Sequence, residues 1–360
     1  MRLYWVVGEL SGEYNALPVI EALKAKLAGL EMRGMGGSAM AKAGVSLVAS
    51  WEKYTVVGFI EVLRNLHHFI ALYKRIKKDI LSWKPHRLIL VDFPGFNLRL
   101  ARWAVRHRIP VTYFIPPQLW AWNPKRVRYL RDPMIQLLCI LPFEPAFYAT
   151  HGIEAIYVGH PLVNRLQAVK PLEARKPYIA LLPGSRLHEV KHMLPVMAAL
   201  PPFFPEWEFY VSQVAHLPKE IYDELAPDLP KIIGNTPALL KGAAAAVVTS
   251  GTATLEAALL GCPSVVVYKG NFLSYWIARQ LVRVSYISLP NLILNEPVFP
   301  ELIQDACKPE TVANNLRYIL SHREEIQNRL GHLLPLLGEN NAAEKAAECI
   351  AHALHQRAVF

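Results

Sequence analysis

Cysteine is scarce in this chain. Cys139, Cys262, Cys307 and Cys349 are scattered along 360 residues, with no CxxC or Cys/His spacing. That excludes a zinc site of the common kinds and a disulfide framework, and it fits a reducing compartment. Long apolar runs are missing as well: nowhere do about 18 uncharged apolar residues follow one another, the length a membrane span requires. One basic residue and the run Leu3-Tyr4-Trp5-Val6-Val7 precede Gly8, too little for the core of a signal peptide. A soluble or peripheral protein is expected. Asp-x-Asp and His-Glu-x-x-His do not occur, so no metal and no other cofactor is expected. The lack of a GxSxG elbow argues against a serine hydrolase. His160 in "VGHPL" and the pair His67-His68 read as turn and surface histidines rather than ligands.

Acidic residues are outnumbered, 29 Asp+Glu against 39 Lys+Arg, for a net charge of +10. The excess favours an anionic partner, whether nucleic acid, acidic lipid or a phosphorylated substrate. Nucleic acid has no further support, because no RRM, KH or helix-turn-helix signature is present. A hydrophobic content of 52% over 360 residues suffices for a large core and exceeds the usual single domain.

Strand-like runs alternate with helical patterns throughout. Leu88-Ile89-Leu90-Val91, Val111 to Ile115 and Gln136 to Ile140 are continuous apolar or β-branched stretches, as in parallel strands buried on both faces. The rhythm restarts at Tyr178 to Leu182 and recurs at Phe209 to Val211, Ala246 to Val248 and Val265 to Tyr268. This predicts two α/β doubly wound domains: residues 1–163, a charged, proline-bearing linker at 164–177, and residues 178–341. A helical tail, 342–360, is expected to pack back on the first domain or on a partner subunit, which leaves a homodimer open. Ligands of such sheets bind beyond the carboxyl ends of the strands.

Four loops carry candidate chemistry. "GELSGEYNAL" follows the first strand; Ser11 or Glu13 is placed to cap the next helix, and Glu13 reads either as a first-turn carboxylate favouring the helix dipole or as a functional acid. "VDFPGFN" puts Asp92 directly after a buried strand, where it either serves the site or joins an Asx-type turn with Asn97. "LLPGSRLHEV" offers Gly184, Ser185 and the guanidinium fork of Arg186 to phosphate. "TSGTATLE" sets Gly251 and Thr252 at a helix start with Glu256 one turn in, suited to a diphosphate. Separately, "YTVVGFIEVLRNLHHFIALYKRIKKDILSW" combines an apolar stripe (Phe59, Ile60, Leu63, Leu66, Phe69, Ile70, Tyr73, Ile76) with Arg64, Lys74, Arg75, Lys77 and Lys78. It reads either as a core-facing helix or as a membrane-surface element, with Val56, Val57, Phe59, Ile60 and Leu63 as lipid contacts.

Taken in order, "GELSGE", "VGFIEVL", "DFPGFN", "PPQLWAWNPKRV", "LPFEPAFY", "VGHPL", "LPGSRLHEV", "SGTATLE", "VVVYK", "SLPNLIL" and "PELIQD" resemble the lipid-A-disaccharide synthase family over almost the whole chain. The resemblance implies a GT-B fold, two Rossmann-like domains facing across a cleft. It implies an inverting, metal-independent glycosyltransferase that joins UDP-2,3-diacylglucosamine to 2,3-diacylglucosamine 1-phosphate through a β-1,6 bond and releases UDP. Its place would be the cytoplasmic face of the inner membrane, on an anionic surface. By the same resemblance UDP falls to Ser185, Arg186, Gly251, Thr252, Glu256, Asn291, Glu301 and Gln304, with Arg186 offsetting charge on the departing diphosphate. Trp120 and Trp122 either shape the acceptor site or pack.

This chain departs from the family at one acid. The usual motif reads Asp-Ala-Pro-Asp-Phe-Asn, and its second aspartate, the expected base, is Gly95 here. Asp92 matches the first aspartate; Glu13 is its rival as base, and Glu9 reads as a brace of the loop. A UDP-sugar epimerase on the same architecture is the alternative function, and it would have no use for a membrane-active stripe.

Overall fold

The structure, a computed structural model, describes residues 1–53, 66–270, 284–338 and 341–355. The chain forms two compact units, Met1–Pro161 with Gly338–Phe360, and Leu162–Leu337.

The first unit is built on a parallel sheet of β1 (Arg2–Val7), β2 (Glu31–Gly36), β3 (Val45–Ser50), β4 (Arg87–Val91), β5 (Val111–Phe114), β6 (Ile135–Cys139) and β7 (Ala155–Tyr157), in the order β3-β2-β1-β4-β5-β6-β7. Tyr4, Val6, Leu88 and Leu90 share a core with Leu72, Ile76 and Ile80 of the Leu66–Trp83 helix and with Phe96 and Leu100. The alternate residues Leu3, Trp5, Val7, Ile89 and Val91 point the other way and are also fully buried, so helices cover both faces and no polar side is needed. Asp79 ties the Leu66–Trp83 helix to the sheet: it takes two hydrogen bonds from Arg33 (2.9 and 2.7 Å) and one from the Tyr4 hydroxyl (3.0 Å). The strand order reverses between β1 and β4, and the loops after these two strands flank the switch point where ligands of such sheets bind.

The Ala342–His355 helix returns to this unit and packs on the Leu10–Lys26 helix. Ala346, Ala347 and Ile350 are buried, and Lys26 meets Glu348 (3.1 Å) and Glu344 (3.5 Å).

The second unit holds β8 (Tyr178–Leu182), β9 (Glu208–Gln213), β10 (Lys231–Ile233), β11 (Ala245–Thr249), β12 (Ser264–Tyr268) and β13 (Glu301–Ile303), parallel in the order β10-β9-β8-β11-β12-β13. Its reversal lies between β8 and β11, so the loops at Pro183–Arg186 and Ser250–Thr252 stand where the two in the first unit do.

The segment 164–177 falls in the second unit: Leu166 is buried, Arg165 pairs with Glu256 and the Leu172 N–H donates to the Ala238 carbonyl (2.9 Å), while most of its other residues are exposed. His160 is buried rather than superficial. Of the apolar stripe, Ile76 is fully buried, Tyr73 half-buried and Ile70 exposed; the side of the helix that carries Leu72, Ile76 and Ile80 faces the core. Val56, Val57, Phe59, Ile60 and Leu63 lie outside the described residues.

Candidate functional site

In the first unit, β1 and β4 run in register with Val7 beside Val91, so Gly8 and Asp92 leave the sheet as neighbours. Asp92 and Phe93 both adopt the left-handed conformation, φ 46° and 49°, which costs a non-glycine residue about 1–2 kcal/mol each. Two side chains hold the turn. Asn97, fully buried, donates through Nδ2 to the carbonyls of Asp92 (2.9 Å), Val91 (3.2 Å) and Val6 (3.3 Å), and the Tyr113 hydroxyl donates to the same Asp92 carbonyl (2.9 Å). The turn therefore rests on the backbone of Asp92 and leaves its carboxyl to face Glu9. Burial, then the adjacent Glu9 charge and hydrogen bond, push that carboxyl up to about 7, the proton affinity a general base needs near neutrality.

Glu13 is spent elsewhere. It is 2% exposed, and its carboxylate accepts from the Met40 N–H (2.9 Å) and the Trp51 indole N–H (2.9 Å). Met40 is the third residue of the Ser38–Lys42 helix, so Glu13 caps that helix and not its own. Gly37 makes room: a Cβ there would lie 2.0 Å from Glu13 Oε2. Neither Ser11 nor Glu13 caps the Leu10–Lys26 helix, whose N-cap residue is Glu9 with no side-chain cap bond. A Glu13→Gln variant turns an amide donor toward one of two buried donors. It is expected to lose about 1–3 kcal/mol of stability, read as a lower urea midpoint, while the folded fraction keeps its turnover.

In the second unit the open positions are Ser185, Arg186, Gly251 and Thr252, all exposed. Gly251 precedes the Thr252–Leu259 helix and supplies no side-chain cap, which leaves the first N–H groups of that helix available to an anion. After β8 the arrangement differs from the expected phosphate cradle. Glu189 Oε2 accepts from the N–H groups of Ser185 (3.0 Å) and Arg186 (3.2 Å), and its other oxygen accepts from the Arg186 guanidinium (3.1 Å). Gly184, φ 111°, has to be glycine, since a Cβ would come within 2.5 Å of that carboxylate. The backbone donors are thus occupied, and the guanidinium is 67% exposed.

The remaining nucleotide candidates lie inward. Glu256 is held by Arg165, and burial raises its carboxyl in spite of that charge. Asn291 is fully buried and exchanges two hydrogen bonds with the Phe299 backbone (2.8 and 2.9 Å). Glu301 accepts from Asn291, the Ile287 N–H and the Ser288 N–H, each at 2.9 Å, and from the Ser288 hydroxyl at 2.7 Å. Gln304, in the left-handed region, accepts from the Gly270 N–H (3.3 Å) while its amide nitrogen has no partner. Two polar groups not foreseen from sequence stand at strand ends of this sheet with buried, unpartnered oxygens, Gln213 on β9 and Thr249 on β11. Each sits inside a strand pattern, so nothing local marks it.

Also unforeseen is Glu144. It is 1% exposed, accepts from the Trp120 indole (3.2 Å) and the Leu141 N–H (3.0 Å), and is pushed by burial up to about 7. Trp120 thereby acts as a packing and bracing residue, edge-on to Phe143 at 4.9 Å.

Basic side chains gather on three adjoining segments of the first unit: Lys74, Arg75, Lys77 and Lys78 on Leu66–Trp83, Arg99, Arg102 and Arg106 on Pro94–Arg106, and Lys125, Arg126 and Arg128 on Pro124–Leu130. Aromatic rings sit among them: Lys77 lies 5.4 Å from the Tyr73 ring and 5.1 Å from the Trp103 ring, and Arg102 lies 4.1 Å from the Tyr129 ring. The acid in these segments, Asp79, is taken by Arg33. No helix among the described residues is long and apolar enough to cross a membrane, and none of their His, Cys, Asp and Glu side chains cluster so as to hold a metal ion.

The chain is 39% identical to the lipid-A-disaccharide synthase of Syntrophus aciditrophicus, over 95% of each chain, and 36% identical to that of Myxococcus xanthus, over 98% of this chain and 97% of the other. Among solved structures it is similar to the glycotransferase of kitacinnamycin, with a TM-score of 0.71 at 15% identity over 98% of this chain and 99% of that one. That likeness identifies the architecture, two Rossmann-like units of the GT-B kind. Residues 3–354 match the family described as lipid-A-disaccharide synthetase, and the chain belongs to that family.

Proposed function

We propose that this chain joins UDP-2,3-diacylglucosamine to the 6-hydroxyl of 2,3-diacylglucosamine 1-phosphate and releases UDP. The family match spanning both units carries this reading. The second unit takes the donor: Arg186 and the N-terminus of the Thr252–Leu259 helix meet the diphosphate and stabilise charge as UDP departs. The first unit takes the acceptor: Asp92 receives the proton of the 6-hydroxyl as its oxygen attacks the anomeric carbon from the face opposite UDP, which inverts that centre. The direct test is UDP release from the diacylated donor with and without the acceptor. Acceptor-dependent UDP and a disaccharide 1-phosphate are expected. Epimerised UDP-sugar, formed without acceptor, would establish the alternative.

Both substrates carry acyl chains, so the enzyme has to work at a lipid surface, and the basic, aromatic face of the first unit suits the cytoplasmic leaflet of the inner membrane. Each Lys or Arg near an anionic surface contributes about 1 kcal/mol. Replacing Lys74, Lys78, Arg99 and Arg106 together with glutamine is therefore expected to weaken binding to anionic vesicles by roughly 10³-fold at low salt. Turnover on detergent-dispersed substrate should persist. Unchanged vesicle binding in a sedimentation assay would remove this face from the membrane contact.

A further inference from the structure

The loop after β5 leaves the sheet under strain. Val91 and Phe114 lie in register, so Asp92 and Ile115 emerge side by side, and both are left-handed, Ile115 at φ 59°. For a β-branched residue that conformation is an outlier, one that persists only where neighbours enforce it. The enforcing groups come from one face of the Glu144–Ala149 helix. Glu144 Oε1 accepts from the Trp120 indole N–H (3.2 Å), and one helical turn on the Tyr148 hydroxyl donates to the Pro117 carbonyl (3.2 Å). The other oxygen of Glu144 accepts from the N–H groups of Ile140 (3.3 Å) and Leu141 (3.0 Å), just beyond β6. The loop after β5 is thus tied at Pro117 and Trp120 to the segment after β6. Gln118, between the two ties, is exposed and makes no side-chain cap bond.

We propose that Glu144 and Tyr148 are positioning residues of the acceptor site: the helix face they share holds the loop after β5 so that Gln118 meets a sugar hydroxyl of the acceptor next to the Asp92 turn. The proposal rests on the first unit taking the acceptor. Neither tie touches substrate, since Glu144 is 1% exposed and Tyr148 fully buried. A buried carboxyl costs far more to keep than an apolar side chain of like volume, so packing alone gives no reason for one here. What it supplies is a single group whose two oxygens answer three N–H donors from two loops. The path to Asp92 is short: Tyr113 of β5 donates its hydroxyl to the Asp92 carbonyl (2.9 Å), and the Asp92 N–H donates to the Phe114 carbonyl (3.1 Å). A loop displaced by about 1 Å would leave the base in place and misplace the hydroxyl it serves.

The test is steady-state transfer, with the acceptor varied at saturating donor and the donor varied at saturating acceptor. Glu144→Gln and Tyr148→Phe are each expected to raise the acceptor KM about 3- to 10-fold, with kcat changing less and the donor KM staying within about twofold. Gln118→Ala should raise the acceptor KM likewise without lowering the melting temperature, because its side chain is exposed. In that background Tyr148→Phe should add little, since the tie then positions nothing. Tyr148→Phe removes one hydroxyl from a buried ring, so it keeps the inference testable should Glu144→Gln fail to fold. Asp79→Asn loosens the same unit through Arg33 and Tyr4; it is expected to lower the melting temperature and leave the acceptor KM alone. The inference is overturned if Tyr148→Phe leaves the acceptor KM within about twofold of the parent, or raises the donor KM as much. It is equally overturned if Tyr148→Phe adds in full to Gln118→Ala, or if Asp79→Asn raises the acceptor KM to the same degree. Should the parent chain release no UDP in response to the acceptor, the proposed function fails first and the positioning role with it; release from the parent with the acceptor KM unmoved in the variants removes the positioning role alone.

Discussion

An Asp92→Asn variant is expected to transfer about 10²- to 10⁴-fold more slowly than the parent chain, with UDP affinity unchanged. Asparagine keeps the volume and one acceptor oxygen but cannot take the proton of the attacking hydroxyl. It also accepts the left-handed backbone at least as readily as aspartate, so the turn fixed by Asn97 and Tyr113 should persist and the loss should be chemical. With Asp92 as the proposed base the active form is the carboxylate, held up to about 7 by burial and by Glu9; the rate should therefore rise with pH through about 7 and level above it. That limb should vanish from the residual activity of the variant. Stability runs the opposite way. A carboxyl whose folded value is raised contributes stability that is fully present below its unfolded pKa and lost as pH rises through about 7. The variant should accordingly melt above the parent at pH 8 and alongside it at pH 4. A transfer rate within threefold of the parent at pH 7 would show that Asp92 is not the base.

Arg186→Ala should lower kcat/KM for the donor by about 2–4 kcal/mol in barrier, a factor of roughly 30 to 10³. The guanidinium answers Glu189 at 3.1 Å, while both backbone N–H groups of the loop are turned inward to the same carboxylate. On the proposed role, removing the arginine deletes the charge that meets the diphosphate and leaves Glu189 with its two backbone donors alone, so attraction is lost and repulsion gained. Arg186→Lys should recover part of the loss, since an ammonium restores charge without the two-pronged geometry. Because the side chain is largely exposed, melting should move little. Turnover within about threefold of the parent in the alanine variant would place the diphosphate elsewhere.

The two α/β units, the buried strands β1, β4, β5, β6, β8, β9, β11 and β12 and the loops after β1, β4, β8 and β11 were legible in the sequence because each depends on neighbours along the chain. A continuous apolar run between helical patterns has few solutions other than a strand covered on both faces, and a glycine-bearing loop before a helix leaves donors open wherever it occurs. The partners of the charged groups were not legible. Glu13 reaches Met40 and Trp51, 27 and 38 residues away, and Arg165 reaches Glu256 across 91. Glu189 sits at the capping-box position, yet the N-cap residue is Arg186, with no hydroxyl to announce the motif. By itself the sequence determined the apolar strands at the centre of each sheet and which of their ends carry acids and cations, since apolar periodicity and glycine placement act locally, whereas edge strands such as β3, β7, β10 and β13 carried no such run. Which glutamate caps a helix and which carboxyl is buried with a raised proton affinity was decided only by the tertiary structure: the proton affinity and reach of a carboxylate depend on burial and on the donors and charges that distant segments bring against it.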